Sequence, residues 1–298
     1  MNLTILKIKI KIKNLLYKNY IKYLKKYLRL SSKPFISGDT FRNISDHVFD
    51  ENSNLKINKI NSHDIVFVKT DYLNLFINKY INLLPNNIIL ITHNSDINIE
   101  REYKDIFRKK QIFWFAQNLN FKVSIKDNIL PLPIGFENRN WFKNGKLSNL
   151  KKYQPSKVKN DKILCSFNPQ TNPERIEILN YIQNSEVITF SRRSNHFNFM
   201  NSLSQCKFSI CPPGNGLDTH RIWESLMVET IPIMEKSEFS SNLKFLKIPI
   251  YELEEWSEIS NLNKEKVRII YSHYSELLKD KSFLYIDYWK NVIYEKNK

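Results

Sequence analysis

Apolar residues fall along this chain in short continuous runs, separated by stretches in which they recur every three or four positions. Residues 63–70, centred on Ile65-Val66-Phe67-Val68, make a run rich in β-branched and aromatic side chains, which predicts a buried strand. Residues 72–84 have helical spacing, and 87–92 form the next strand-like run, followed by others at 111–116 and 129–133. Strand, helix, strand in this order implies a parallel sheet with crossover helices. Apolar density falls between 138 and 161, where Gly145, Pro155 and several lysines mark a linker. The pattern then restarts. Strands are expected at 162–167, 187–190, 207–211 and 231–234, alternating with helices at 174–182, 195–205 and 219–228. The division that follows is a basic amphipathic segment at 1–30, Rossmann-like units at 31–150 and 151–282, and a closing helix at 283–298. The class is α/β, and two such units in series imply a cleft between them, the usual place for a small-molecule site.

Charge changes this picture little. The 298 residues carry a formal net charge of +16, which suits a polyanion-binding protein. Such a protein clusters its lysines on one face with aromatic residues between them, whereas here Lys, Asn and Ile are over-used throughout. A nucleic-acid partner is therefore not expected. Cys165, Cys206 and Cys211 are too few for a disulfide framework and form no CxxC pattern, so a reducing cytoplasm is expected. Lysines interrupt every apolar stretch of residues 1–30, leaving no secretion signal or membrane span there. The segment either packs on its own unit or lies peripherally on anionic lipid through Ile5, Ile8, Ile12 and Leu16.

The densest chemistry follows the strand at 207–211. The chain has five glycines, and two of them, Gly214 and Gly216, flank Asn215 immediately after Cys211-Pro212-Pro213. The glycines are expected to let this loop take positive φ and admit a ligand to the main chain. Asp218 or Thr219 then caps a helix whose first amides form an anion site suited to a diphosphate. His220 opens that helix. Arg221 and Glu224, three residues apart, share one face, so a guanidinium for phosphate stands beside a carboxylate for ribose hydroxyls. A plain surface ion pair is the competing reading. Upstream, Arg192 and Arg193 follow a strand and either neutralise the leaving diphosphate or form a solvated basic loop. Asn168, after the strand at 162–167, holds a similar position.

The segment Phe208-Ser-Ile-Cys-Pro-Pro-Gly-Asn-Gly-Leu-Asp-Thr-His-Arg-Ile-Trp-Glu-Ser-Leu226, followed by Thr230-Ile-Pro-Ile-Met234, resembles the donor-binding motif of exostosin-like glycosyltransferases. The resemblance implies a GT-B architecture of two Rossmann-like domains facing each other across a cleft. It also implies metal-independent, inverting sugar transfer, with Arg221 on the donor diphosphate and Glu224 on the ribose. The donor would be a UDP- or GDP-linked sugar, the acceptor a glycan or glycolipid, and no separate cofactor is needed. Val228-Glu-Thr stands where the family has a small residue and glycine. A GT-B-like transferase with a non-sugar donor would keep the phosphate site but have no use for Glu224 on a ribose.

Inverting transfer needs a general base from the first unit. Asp39 in Ser37-Gly-Asp-Thr, His93 after the strand at 87–92 and Glu137 after that at 129–133 are the candidates. For each a structural role competes: a helix cap, a satisfied core histidine, and an ion pair with Arg139. No Walker loop, HExxH, EF-hand loop, GxSxG or DxD pair occurs, so no metal is expected.

Overall fold

The computed structural model describes residues 16, 29–124, 126–141, 144, 146–191 and 195–295. Arg192, Arg193, Gly145 and nearly all of the basic segment at 1–30 therefore lie outside the described residues. The strands form two parallel sheets of five.

The first sheet runs in sequence order: β1 (His47–Phe49), β2 (Ile65–Lys69), β3 (Ile89–His93), β4 (Phe113–Ala116) and β5 (Ile129–Pro131). Parallel strands in sequential order, joined by right-handed crossovers, place every crossover on one face. On that face α2 (Leu73–Tyr80) and α3 (Tyr103–Lys109) pack Phe76, Tyr80 and Phe107 against Val66, Val68, Leu90 and Trp114. The opposite face, with Ile65, Phe67, Ile91 and Phe115, must be covered by other elements. These are α1 (Gly38–Asn43) and the carboxy-terminal α10 (Ile286–Glu295), whose Phe41 and Trp289 rings meet edge to face at 6.4 Å. Residues 34–36 and 284–286 are tied together there by backbone bonds from Ile36 to Leu284 (3.1 Å) and from Ile286 to Pro34 (2.8 Å).

The second sheet has the order β10-β9-β8-β6-β7, from β6 (Asn160–Cys165), β7 (Ile188–Phe190), β8 (Cys206–Ile210), β9 (Ile231–Glu235) and β10 (Tyr251–Leu253). Its helices include α4 (Leu147–Leu150), at its approach, then α5 (Glu174–Ile182), α6 (His196–Gln205), α7 (His220–Met227), α8 (Glu238–Phe245) and α9 (Lys264–Ser275). Because β7 lies on one side of β6 and β8 on the other, the winding reverses at β6, and a crevice opens at the carboxyl ends of β6 and β8. One hydrophobic core runs from the inner face of the first sheet through the second. The chain is thus an α/β protein built on two parallel five-stranded sheets, as its pattern of strands and helices predicts.

Lys159, just before β6, fixes the two helices nearest that crevice. Its ammonium donates to the carbonyls of Ser204 (2.6 Å) near the end of α6 and Val228 (2.9 Å) after α7, and lies 3.1 Å from Thr230 Oγ1. Burial pulls its pKa down to about 8, against the pull of Glu229 and Cys206. Lys159→Met leaves buried carbonyls without a donor and should cost about 3 kcal/mol, read as a lower urea midpoint with unchanged slope.

Candidate functional site

The crevice holds two adjoining cavities of about 690 and 440 Å³ that share Asn144, Phe167, Asn168, Arg221 and Glu224 in their walls. The larger extends to Phe190 at the end of β7 and to His196, the smaller to Glu137, His220 and Arg175. Asn168 is among the exposed wall residues, its Oδ1 accepting from Gln170 N at 3.2 Å.

Arg221 stands between the cavities. Its guanidinium lies 4.5 Å from the centroid of the Phe199 ring. Nε and Nη1 are buried without a hydrogen-bond partner, as is Oγ1 of Thr219, two residues earlier. Unpaired buried donors on a guanidinium are costly, and an anion in the crevice would satisfy them. Sequence reasoning missed Arg175. Its Nε donates to Pro213 O (2.8 Å), Nη2 to Pro212 O (3.2 Å) and Nη1 to Asn168 O (3.0 Å) and Thr171 Oγ1 (2.6 Å). It thus braces the Pro-Pro-Gly turn against the loop after β6. The available signal was its place with Ile178 and Ile182 on the buried stripe of α5.

Glu224 is almost wholly buried in the crevice wall. Its Oε1 lies 2.6 Å from His196 Nε2, and Nδ1 of that ring lies 3.1 Å from the Tyr153 hydroxyl. Burial alone would raise the Glu224 pKa, but His196, Arg221 and His220 together bring it below the usual value. Burial and the Glu224 charge push the Tyr153 phenol up to about 12, so it stays protonated. No ion pair joins Arg221 to Glu224 among the described residues, so the surface-pair reading does not describe them.

Several expectations for the loop are corrected. Gly214 and Gly216 do not take positive φ; among the described glycines Gly135 alone does. What marks them instead is crowding, tight at Gly214 and tighter at Gly216. A Cβ on Gly214 would lie 3.1 Å from Arg175 Nη2, and one on Gly216 would lie 2.8 Å from Asn118 Nδ2 and 3.1 Å from Asp96 O. Gly216 thus packs on the first unit, and Asn215 is exposed. Asp218 does not cap the helix: Thr219 is the N-cap and makes no side-chain cap bond. Instead, both Asp218 oxygens are occupied, Oδ2 by Ile134 N–H (2.6 Å) and Oδ1 by the Trp223 indole (2.9 Å). Burial pushes its pKa up to about 7 against those donors. His220 also bridges the units, with Nδ1 2.7 Å from Gly135 O and Nε2 3.4 Å from Glu137 Oε1. Burial would lower its pKa, but Glu137 and the Gly135 carbonyl raise it to about 9.

Of the three base candidates, Glu137 lines the crevice, paired with His220 rather than with Arg139. Asp39 is fully buried in the first turn of α1, capped by Ser37, and its Oδ1 meets Asn94 Nδ2 (3.2 Å) and Arg29 (3.5 Å). Desolvation raises its pKa, opposed by Arg29 and Asn94. His93 is also fully buried, with Nε2 3.0 Å from Pro133 O and Nδ1 accepting from Asn94 N at 2.6 Å. With both nitrogens engaged it fits the satisfied core histidine, not a base. The three cysteines are free and buried. Among the described residues, no group of three His, Cys, Asp or Glu side chains could hold a metal, and no helix is long and apolar enough to cross a membrane.

No protein-family model and no curated protein matches the chain. Among solved structures it is similar to a UDP-forming α,α-trehalose-phosphate synthase from Burkholderia vietnamiensis, at 9% identity and TM-score 0.44, over 80% of this chain and 75% of that one. It is similar also to a sucrose-phosphate synthase from Thermosynechococcus elongatus, at 11% identity and TM-score 0.41, over 78% of this chain and 71% of that one.

The burial of His93 carries a pH signature. Its pKa is pulled down to about 4 by burial, despite the Pro133 carbonyl, so between pH 6.5 and 4 the unfolded chain binds a proton that the folded protein excludes. Stability should therefore fall by about 3 kcal/mol as pH drops through that window. Chemical denaturation of wild type and His93→Gln across these pH values should show a difference of that size and sign.

Proposed function

We propose that the protein is an inverting, metal-independent glycosyltransferase of the exostosin-like kind, moving a sugar from a nucleotide diphosphate to a hydroxyl of a glycan or lipid-linked acceptor. The observation that carries this reading is the buried, unpartnered guanidinium edge of Arg221 at the switch point of the second sheet, beside a Glu224 kept ionised. A diphosphate supplies the acceptor oxygens Arg221 lacks, and Glu224 accepts from ribose hydroxyls. The cavity volumes match those of small-molecule sites. In this reading the nucleoside occupies the larger cavity, near Phe190, and the transferred sugar the smaller one, near Glu137.

Glu137 is then the general base, the one candidate of the three in the crevice wall. It takes the proton from the acceptor hydroxyl, whose oxygen attacks the anomeric carbon opposite the diphosphate. The bond to the diphosphate oxygen breaks, and the charge that collects there meets Arg221 and protonated His220. The three unpaired cysteines support a cytoplasmic site of action, where nucleotide sugars are supplied. Contact of the 1–30 segment with an anionic membrane remains part of the proposal.

Thermal-shift and calorimetric titrations with UDP, GDP and CMP, with and without EDTA, test the donor site. One nucleoside diphosphate should stabilise the protein equally in both conditions, and Arg221→Ala should weaken binding about 100-fold, the loss of a charge-assisted pair. Stabilisation by none of them would remove the reading. Glu137→Gln should bind the nucleotide as wild type does yet lose turnover by at least about 100-fold.

A further inference from the structure

Arg221 and Glu224 sit one helical turn apart with opposite charges, the spacing at which such side chains pair. Pairing would consume both: the guanidinium edge would lose its vacancy and the carboxylate its free oxygen. In this structure no ion pair joins them, and Glu224 Oε1 lies instead 2.6 Å from His196 Nε2. His196 belongs to a different helix, as the first residue of α6 after its cap Asn195. It is held in turn by Tyr153, at 3.1 Å from Nδ1, with the two rings edge to face at 5.7 Å. The tyrosine hydroxyl, protonated at neutral pH, has a proton to donate to Nδ1. That leaves the imidazole proton on Nε2, aimed at the carboxylate.

We propose that His196 is a positioning residue for Glu224, with Tyr153 fixing its tautomer, and that this chain sets the preference of the site for a ribonucleotide over its 2′-deoxy counterpart. The inference rests on the donor-site reading above and deepens it. With Oε1 tied to His196, one carboxylate oxygen is left for the sugar hydroxyls. Losing the 2′-hydroxyl then leaves a buried charged acceptor short of a donor, which the site penalises. Without His196, Glu224 swings to Arg221, so the preference and the affinity for the diphosphate fall together.

The test is calorimetry of UDP against 2′-deoxy-UDP, and GDP against 2′-deoxy-GDP, on wild type, Glu224→Gln, His196→Phe, His196→Gln and Tyr153→Phe. Wild type should prefer the ribonucleotide on the order of tenfold, the worth of one hydrogen bond to a charged group. His196→Phe, which keeps the ring but not the donor, should bring the preference close to unity and weaken ribonucleotide binding about tenfold. His196→Gln, whose amide restores an N–H near the same place, should recover most of both, a rescue that a merely structural role would not show. Tyr153→Phe should reduce the preference severalfold and provides the reading if His196→Phe does not fold. If wild type binds neither UDP nor GDP, the donor site itself is wrong. If wild type discriminates and Glu224→Gln does not, but His196→Phe discriminates as wild type does or His196→Gln fails to rescue, the donor site stands and the role of His196 is refuted.

Discussion

The rest of the site depends on one constraint: the segment between β8 and α7 is clamped from two directions. On one side Arg175 spends four donor contacts on the Pro212-Pro213 turn and the neighbouring loop. On the other, the first unit grips the far end of the segment, with Asn118 Oδ1 accepting from Asp218 N at 2.9 Å and Ile134 N–H donating to the Asp218 carboxylate. The helix that follows cannot shift to bury its own first turn differently. A chain free to relax would pair Arg221 with the nearest acceptor, since an unsatisfied buried donor costs about 1–3 kcal/mol. The clamp lets that cost persist, and preorganised recognition of an anion needs that persistence.

The charges of the crevice follow a single rule once the clamp is in place. Each carboxylate in its wall is engaged by a histidine: Glu224 by His196 on α6, and Glu137 by His220 at the start of α7. Both histidines approach from an element other than the one that carries the carboxylate. Neither Glu forms an ion pair with Arg221, and Arg175 is engaged by three carbonyls and the Thr171 hydroxyl. Lys159 holds α6 and α7 in the register that makes the first of these pairs possible.

Much of this was legible in the chain, and the limits have physical causes. The strands β2, β3 and β9 were readable because their apolar, largely β-branched runs leave little ambiguity, whereas β6 and α5 carry weaker signals, a short Ile163-Leu164-Cys165 run and a loosely amphipathic stretch. β1 was missed: its three residues include a single fully buried side chain, so no run exists to see. The elements α8, β10 and α9 lie in a stretch where charged residues blur the period. Within the crevice, the Gly-Asn-Gly loop was read for a backbone torsion that its glycines do not adopt. Local sequence reports that small residues are needed, but not whether a backbone torsion or a neighbour from a hundred residues away demands them. The partnerships of Arg175, His196 and Tyr153 were not legible for the same reason, because each acts on a residue far off in the chain, although the place of Arg175 on the buried stripe of α5 was itself a signal.

The two sheets are unequal partners, and topology explains the division of labour. A sheet wound in sequential order has no switch point, so the first unit lacks the topological crevice that the second has at the carboxyl ends of its strands. Its contribution must come through a loop that leaves the sheet, and the loop after β5 is built for that. Gly135, with φ of 68°, packs so tightly on residue 36 that a Cβ would lie 2.6 Å from Ile36 O. Phe136 N then donates to the same carbonyl at 3.0 Å, so the loop is fixed before it reaches Glu137. The Gly135 carbonyl accepts from His220, whose other nitrogen faces the Glu137 carboxylate. The one acidic side chain the first unit places in the crevice is thereby registered against the helix that carries Arg221. A change at Gly135 would therefore disturb both sides of the crevice at once, although the residue lines neither cavity.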